Sequence, residues 1–389
     1  MNQGKYVFSQ LFEFINRFEF DQCVNRYNGN FRVKRFTCWE QFLVMSFAQF
    51  SFRESLRDIE YCLSSIQKKL YHCGVRSEVA RSTLSDANES RNWRIYSDFA
   101  ETLMRIAVPL YKGENKLAKE LDSIIYAFDS TTISLCMSLF PWAVYGKKRN
   151  AIKVHVLLNI DGYIPEFVNI TTGNRQDMLM MDAITYTAGC FYVFDKAYVD
   201  YKRLYRIEGC KAFFVTRAKT NMSYETIEGR KTRKQDGVIK DELVYMKRWH
   251  TRREYRGNLR RIEYIDIETG LELEFLTNNI QLDAIIIARL YKERWKVELF
   301  FKWIKQNLRI KKFYGISENA VKTQIWIAVC DYLLMTILSK NLKLEISLNR
   351  MMQILSVSLF EKCDIKDFFG QQSKIVSKSP ELFDNLTGH

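Results

Sequence analysis

Residues 124–129 read IIYAFD and residues 190–195 read CFYVFD, and each is a short apolar run that ends at an aspartate. Runs of this length are typical of buried β-strands. Between them, residues 151–160 alternate as a strand, Asp161-Gly162 is a hairpin turn, and residues 164–171 form the returning strand. These stretches predict three antiparallel strands followed by a fourth, buried strand.

Further elements extend this pattern on both sides. We predict helices at residues 177–187 and 198–208 and a strand at 211–217, which gives the order β-β-β-α-β-α-β. That order predicts an α/β fold, a mixed sheet flanked by helices. Downstream, the sequence predicts a strand at 243–250, a hairpin of 261–267 with 271–276, and a long helix from Leu282 to Leu308.

The N-terminal 115 residues are predicted to be helical, with apolar residues at helical spacing in Leu11–Phe20 and Trp39–Phe50. Capping boxes are predicted at Ser51–Glu54 and Thr83–Asp86. Two short helices in this region could form a helix-turn-helix, with a plain helical bundle as the alternative. In the first interpretation the recognition helix presents four residues to DNA: Ser85, Asn88, Arg91 and Arg94.

The net charge of +14 over 389 residues indicates an acidic partner, most simply nucleic acid. The excess is concentrated in two segments. Residues 216–261 hold 14 Lys/Arg against 6 Asp/Glu, and residues 287–312 hold 9 against 2. Aromatic residues interleave both segments, which favours DNA contact over a merely solubilising surface, because bases stack on rings while cations neutralise phosphates.

Cysteine and hydropathy patterns narrow the class of protein further. The nine cysteines form no CxxC pair, and with no signal peptide they are interpreted as reduced thiols of a cytosolic protein without a zinc site. The longest apolar stretch, Ile325–Leu338, contains Asp331 and is shorter than a bilayer span. It is predicted to be a core helix, so no membrane partner is expected.

Three carboxylates form the candidate catalytic set. Asp129 and Asp195 follow predicted strands, where a turn or helix cap is the ordinary alternative. In the long predicted helix, four residues fall within about 60° of one another at about 3.6 residues per turn: Tyr291, Arg294, Glu298 and Lys305. Three converging carboxylates repel unless they share cations, and hard oxygen ligands select Mg²⁺ or Mn²⁺. The pattern therefore predicts metal-dependent phosphoryl chemistry on a nucleic acid.

At this point the sequence resembles bacterial insertion-sequence transposases of the DDE class, which have a ribonuclease H-like core. The series Tyr291, Arg294, Glu298 and Lys305 matches the tyrosine–arginine–glutamate–lysine signature of one such group in identity and spacing. The two aspartates and a gap of 103 residues before Glu298, which would hold a β-rich insertion, fit the same group. Residues 36–61 and 81–93 resemble its N-terminal region.

The resemblance implies cut-and-paste DNA transposition through a hairpin intermediate. Asp129, Asp195 and Glu298 would hold two Mg²⁺ ions, with Mn²⁺ as a possible substitute. Double-stranded DNA, as terminal inverted repeats and as target, would be the partner of a homodimeric synaptic complex in the bacterial cytoplasm, at the nucleoid. Trp249 is the candidate for base flipping, with a structural tryptophan as the alternative. The remaining candidate DNA contacts are Tyr291, Arg294, Lys302, Lys305, Arg252 and Arg253.

One motif departs from the group. The usual Asp-Arg-Gly-Tyr is Asp195-Lys196-Ala197-Tyr198 here, with no planar guanidinium and with an alanine that adopts positive φ only at a cost. Two rival functions therefore stay open: a ribonuclease H-like nuclease that cuts without joining, and an inactive, transposase-derived DNA-binding protein. An RNA-binding role has less support, since no RNA-binding module is apparent.

The expected fold class is thus α/β, a ribonuclease H-like mixed sheet with a β-rich insertion and an all-α N-terminal domain. We expect five segments along the chain: a helical DNA-binding domain at 1–115, the first part of the catalytic core at 120–217, a basic β-rich insertion at 218–281, the second part of the core with the Glu298 helix at 282–345, and a helical tail at 346–389.

Overall fold

A computed structural model describes residues 4–146, 149–232, 234–308, 310 and 312–376. The chain separates into two compact units. A helical unit combines Met1–Leu110 with Lys302–His389, and an α/β unit comprises Tyr111–Phe301. Part of the predicted C-terminal tail, residues 377–389, lies outside the described residues.

Fifteen α-helices lie within the described residues. In chain order they are α1 Val7–Leu11, α2 Arg17–Arg26, α3 Cys38–Phe50, α4 Leu56–Ser65, α5 Gln67–Tyr71, α6 Arg81–Ser90, α7 Arg94–Tyr111, α8 Lys116–Glu120, α9 Tyr201–Gly209, α10 Trp249–Glu254, α11 Ala284–Lys292, α12 Trp295–Asn307, α13 Glu318–Asn341, α14 Leu348–Ser358 and α15 Ile365–Val376.

Ten β-strands in the described residues form one sheet. They are β1 Ile125–Leu135, β2 Val144–Gly146, β3 Arg149–Asn159, β4 Ile164–Thr172, β5 Phe191–Phe194, β6 Phe213–Arg217, β7 Tyr224–Gly229, β8 Val238–Met246, β9 Leu259–Ile265 and β10 Glu272–Thr277. Their order is β2-β3-β1-β5-β6-β10-β9-β8-β7, with β4 paired to β3.

The catalytic half of this sheet has the predicted ribonuclease H-like arrangement. Strand β1 pairs antiparallel with β3, β3 pairs antiparallel with β4, and β5 and β6 follow as parallel neighbours of β1. Strands β1 and β5 are therefore adjacent, and in their parallel register Phe128 lies opposite Phe194. The predicted β-rich insertion is also present, and its strand β10 pairs antiparallel with β6. The insertion thus continues the core sheet rather than forming a sheet of its own.

The long helix predicted from Leu282 to Leu308 is interrupted, so that prediction is wrong in detail. Helix α11 ends at Lys292 and α12 begins at Trp295. At the break the amide of Arg294 donates to the carbonyl of Tyr291 over 3.0 Å, and Val297 donates to Arg294 over 3.2 Å. These contacts span three residues instead of four, as in a tightened turn. The carboxylate of Glu293 is held at the break by the Asn115 amide over 3.0 Å.

In the helical unit, helices α3 and α13 are largely buried. Helix α3 begins with a capping box, in which the Thr37 hydroxyl accepts from the Glu40 amide and the Glu40 carboxylate accepts from the Thr37 amide. Helix α13 has the length and hydropathy of a membrane span, yet 94% of its apolar window is buried inside the protein. This helix contains the apolar stretch predicted to be a core helix.

The capping signals predicted for the next helices are wrong in position. Helix α4 is capped by Ser55, whose hydroxyl accepts from the Asp58 amide over 3.1 Å, whereas Ser51 ends α3. Thr83 lies inside α6 rather than at its start. In both places the packing of the helices selects a neighbouring register over the local signal.

Two of the four residues predicted to contact DNA are engaged inside the helical unit. Asn88 is buried, and its side-chain oxygen accepts from the Gln41 amide over 2.7 Å. Arg91 donates to the Thr37 carbonyl over 2.9 Å and to the Gln41 side chain over 3.0 Å. Since Asn88 and Arg91 face α3, the predicted DNA-reading face keeps only the half-buried Ser85 and the exposed Arg94.

The two ends of the helical unit are joined by backbone and side-chain contacts. Tyr6 forms an isolated antiparallel bridge with Lys362, and the Val7 amide donates to the Glu361 carbonyl over 3.0 Å. The side chain of Gln10, only 1% exposed, donates to the Cys363 carbonyl over 2.6 Å and accepts from the Ile365 amide over 3.0 Å. The first and last described helices therefore complete one core.

Candidate active site

The two aspartates come from adjacent parallel strands. Asp129 follows Phe128, and Asp195 follows Phe194, its partner in the register of β1 and β5. Strand β1 does not end at Asp129 as the sequence predicted, because it continues to Leu135 along β3. Pairing with β5 does stop there, so the carboxylate of Asp129 lies where its neighbouring strand ends.

The guanidinium of Arg294 connects the carboxylate of Glu298 to that of Asp129. Nη1 of Arg294 lies 2.6 Å from Oε1 of Glu298 and 3.3 Å from Oδ2 of Asp129. One guanidinium nitrogen therefore bridges two carboxylates that are 169 residues apart in sequence. The helix break before α12 allows this contact, whereas the sequence predicted a continuous helix with all four signature residues in one stripe.

Burial and like charges act together on Asp129. The pKa of this carboxyl is raised to about 6, mainly by burial; the Ser130 amide and Arg294 oppose the rise, and the negative charges of Glu298 and Asp195 contribute to it. The Ser130 amide donates to Oδ1 of Asp129 over 2.8 Å. The site thus concentrates negative charge in a partly desolvated place, which favours a cation.

Tyr291 packs beside this group. Its ring is buried, 5.0 Å from the ring of Phe275 on β10 and 5.7 Å from the Arg294 guanidinium. Burial raises its pKa to about 12, with Arg294 opposing the rise and the charge of Asp195 adding to it. Tyr291 is therefore within electrostatic reach of Asp195 and Arg294.

The two remaining cations of the predicted set lie further along α12. Lys302 and Lys305 follow Glu298 by about one and about two helical turns. Lys302 is exposed to solvent and Lys305 is half-buried. Both positions remain predictions for DNA contact.

A polar network behind Asp129 was not predicted. The hydroxyl of Ser130 donates to Oδ1 of Asp177 over 2.9 Å, and Lys153 lies 3.1 Å from Oδ2 of the same carboxylate. Asp177 is the first residue of a short 3-10 helix whose cap is Gln176. Lys153 and His155 lie two residues apart on β3, so their side chains share one face of the sheet.

His155 is a buried core histidine. It is fully buried, and its Nε2 lies 3.0 Å from the Thr171 hydroxyl. Burial lowers its pKa to about 4, so the ring is neutral at physiological pH.

The altered second motif fits its backbone without strain. Asp195 caps a 3-10 helix of Lys196–Tyr198, and its carboxylate accepts from the Ala197 amide over 3.1 Å. Ala197 is absent from the non-glycine residues with positive φ in the described chain. Tyr198 is buried with its ring 4.9 Å from that of Phe128. An alanine is therefore compatible with this turn.

The basic insertion exposes one aromatic and cationic surface. Trp249 begins α10 and is 74% exposed, which excludes the alternative of a buried structural tryptophan. The Arg253 guanidinium lies 5.6 Å from its ring, and that of Arg252 lies 4.8 Å from the Tyr245 ring. We call Lys247–Arg253 the α10 surface.

The carboxylates of the site have the chemistry that a divalent metal ion requires. Asp129, Asp195 and Glu298 offer hard oxygen ligands, and the charge around Asp129 suits a divalent cation. Among the described residues, no three His, Cys, Asp or Glu side chains are grouped closely enough to hold an ion as placed. In this structure the guanidinium of Arg294 lies between Asp129 and Glu298 and supplies the positive charge there.

Two family models and several known transposases match the sequence of this chain. A family model described as "Transposase DDE domain" matches residues 120–334, and one described as "Domain of unknown function (DUF4372)" matches residues 3–76. A putative transposase of Sinorhizobium fredii is 33% identical over 292 residues, which cover 72% of this chain and 78% of that one. A probable transposase for insertion sequence element IS5377 of Geobacillus stearothermophilus is 28% identical over 61% of this chain and 63% of its own.

Among solved structures, a piggyBac transposase synaptic complex with hairpin DNA matches with a TM-score of 0.48 and 11% identity. The match covers 96% of this chain and 82% of that one.

Proposed function

This chain belongs to the DDE transposase family, and we propose that it moves an insertion sequence by cut-and-paste transposition with Asp129, Asp195 and Glu298 as its metal-binding triad. The observation that carries the proposal is the bridge from Arg294 to Asp129 and Glu298. Asp129 and Glu298 come from distant segments and meet at one guanidinium, and the charge of Asp195 acts on Asp129 from the neighbouring strand. Members of this family use divalent metal ions, and here we propose two Mg²⁺, with Mn²⁺ as a substitute.

The positions of the site residues give each of them a separate proposed role. Bound divalent ions would activate water and stabilise the leaving oxygen of a phosphodiester. Arg294 and Tyr291 would orient the phosphate beside the carboxylates, because a guanidinium matches two phosphate oxygens. Ser130 holds Asp129 through its amide and so fixes one ligand in place.

The proposed sequence of steps starts with hydrolysis of one strand at the element end. The freed 3′-OH attacks the opposite strand and gives a hairpin, with the displaced strand's 3′ oxygen as the leaving group. A second hydrolysis reopens the hairpin, and the 3′-OH then attacks target DNA. The hairpin and the homodimeric synaptic complex remain parts of the proposal, as does action in the bacterial cytoplasm at the nucleoid.

Contacts to the double-stranded inverted repeats and target are proposed for two places. Trp249, Arg252 and Arg253 on the α10 surface are exposed, and an exposed indole among cations suits an unpaired base. Lys302 and Lys305 on α12 would hold phosphates beyond Glu298. The five segments with boundaries at 115, 217, 281 and 345 are likewise proposed as domains.

The test is cleavage and strand transfer in vitro with Mg²⁺, using the DNA that flanks this gene in its own genome. We expect hairpin and joined products with the wild type and none with Glu298→Gln, which should keep its DNA affinity. Glu268→Gln is the matched control, because Glu268 is an exposed carboxylate paired with Lys292 in the same unit. Thermal stabilisation by Mg²⁺ or Mn²⁺ should also weaken in Glu298→Gln.

Each rival predicts a different product. Cleavage without joining would favour a ribonuclease H-like nuclease. DNA binding without any product would identify an inactive, transposase-derived binding protein. This rival is tested because Lys196-Ala197 departs from the usual motif of the group. Equal cleavage by Glu298→Gln would overturn the site assignment.

A further inference from the structure

An exposed loop between α2 and α3 has no role in the site described above. Residues 28–35 read NGNFRVKR and contain three cations and no acidic residue. Phe31 is 71% exposed, and the cations Arg32, Lys34 and Arg35 are exposed beside it. The Arg32 guanidinium lies 5.1 Å from the Phe31 ring. An aromatic ring that contributes this little to a core needs another explanation.

The backbone of this 28–35 loop is held firmly. A side chain at Gly29 would come within 2.5 Å of Ile95 and 2.8 Å of Cys38, so the loop packs closely on α7 and α3. The side-chain oxygen of Asn30 accepts from the Cys38 amide over 2.8 Å. Phe31 therefore projects from a fixed support and not from a loose segment.

Two residues of the loop have left-handed backbone conformations. Asn28 has φ 51° and Arg32 has φ 58°. Asparagine tolerates this region, but arginine adopts it at a cost. The positive φ of Arg32 therefore occurs at the residue next to the exposed ring, within the segment that is packed on α3 and α7.

The same end of α3 carries a further cation. The Asn30 contact reaches Cys38 at the start of α3, and the Arg76 amide donates to Oε1 of Glu40 over 3.2 Å in the first turn. Arg76 is exposed, whereas Glu40 is buried in its capping box. Together these cations favour a polyanion over an acidic peptide that would also need apolar pockets.

We propose that the 28–35 loop is a second DNA-binding surface, which contacts the element end with its cations on phosphates and Phe31 against a base or sugar. This inference rests on the proposed function for its choice of DNA. It replaces residues 82–94, whose Asn88 and Arg91 are engaged inside the unit. Basic residues interleaved with an exposed ring are the combination that single-strand and distorted DNA ends require.

The experiment measures the dissociation constant of full-length protein for a duplex of the element end, over a range of salt concentrations. Two variants are compared with wild type: Phe31→Ala, and the triple change Arg32→Gln, Lys34→Gln and Arg35→Gln. Phe18→Ala is the matched control, because Phe18 is 64% exposed in the same unit but lies beside the Arg17–Asp21 ion pair. All variants should keep the wild-type melting temperature, since none removes a buried group.

We expect Phe31→Ala to weaken binding about 5- to 150-fold if a base stacks on the ring. The triple variant should reduce the salt slope by about 0.9 for each phosphate that its side chains no longer neutralise. Phe18→Ala should bind as wild type does. Unchanged affinity and slope in both loop variants would overturn the proposal, as would loop variants that lose only binding to phosphatidylglycerol vesicles.

The outcomes separate this inference from the proposed function. All binding measurements are repeated in a Glu298→Gln background, which removes cleavage. A loop effect there would stand even if wild-type protein gave no cleavage product. Cleavage with no loop effect would leave the proposed function intact and reject only the 28–35 loop.

Discussion

Two arginine pairs in the basic insertion have the same composition and opposite surroundings. Arg252 and Arg253 lie on α10 and are exposed beside aromatic rings. Arg260 and Arg261 lie on β9 and are buried among carboxylates. Sequence counting placed all four in one basic segment. The difference shows that the charge available to DNA depends on which strands lie next to each arginine.

The buried pair is explained by the strand register. Arg260 contacts Asp241 with two nitrogens, at 2.8 and 2.7 Å, and donates to the carbonyl of Leu282. Arg261 lies opposite Glu242 in β8, and it forms ion pairs with Glu242, Glu263 and Glu274 at 2.9, 2.6 and 2.5 Å. These carboxylates are brought together by antiparallel pairing of three strands, which no local sequence pattern specifies.

The largest effect is expected from Arg260→Leu. It leaves Asp241 buried without its partner, so the free energy of unfolding should fall by about 3–5 kcal/mol. Denaturant unfolding measures this change. The double variant Arg260→Leu with Asp241→Leu should recover part of the loss, and a single variant as stable as wild type would mean that the pair is not buried in solution.

A smaller loss of stability is expected from Arg261→Gln. Its three carboxylate partners keep some access to water, so the cost should be about 1–3 kcal/mol. Arg261→Lys should restore little, because an ammonium cannot meet three carboxylates as a planar guanidinium does. The melting temperatures of both variants test this, and equal values for Lys and wild type would contradict it.

Trp249→Ala tests the exposed α10 surface, which carries Arg252 and Arg253. Folding stability should change by less than about 0.5 kcal/mol, since the ring is exposed. Binding to a DNA end with an unpaired base should weaken by about 1–3 kcal/mol, because a stacked base loses its support. Trp249→Phe should keep most of the affinity, and fluorescence titration with both variants measures the difference.

The subtlest change is expected from Arg252→Gln with Arg253→Gln. The melting temperature should be unchanged, while the salt slope of DNA binding should fall by about 2, at about 0.9 per cation. Binding isotherms at several salt concentrations give the slope. If the slope stays at the wild-type value, the α10 surface is solvated and does not reach the backbone of DNA.

The core sheet was predictable because its strands carry dense apolar runs and a clear hairpin turn. The break between α11 and α12 was not predictable, because Lys292, Glu293 and Arg294 include no glycine or proline. Contacts distant in sequence set it, such as Asn115 with Glu293. The same holds for the candidate site: the sequence proposes its three carboxylates, whereas the bridging contacts of Arg294 and the Asp177 network depend on packing.

The pairing of Tyr6 with Lys362 and the burial of Gln10 by Cys363 and Ile365 have a consequence for synthesis. These partners are more than 350 residues apart in the sequence, so the C-terminal ones leave the ribosome last. Until the last helices emerge, Gln10 keeps its bond to the Lys5 carbonyl but lacks its contacts with Cys363 and Ile365, and α1 lacks its packing against α15. The α/β unit can fold while the chain is still growing, but the helical unit must wait for the whole chain, so a prematurely ended translation product would be open to proteolysis.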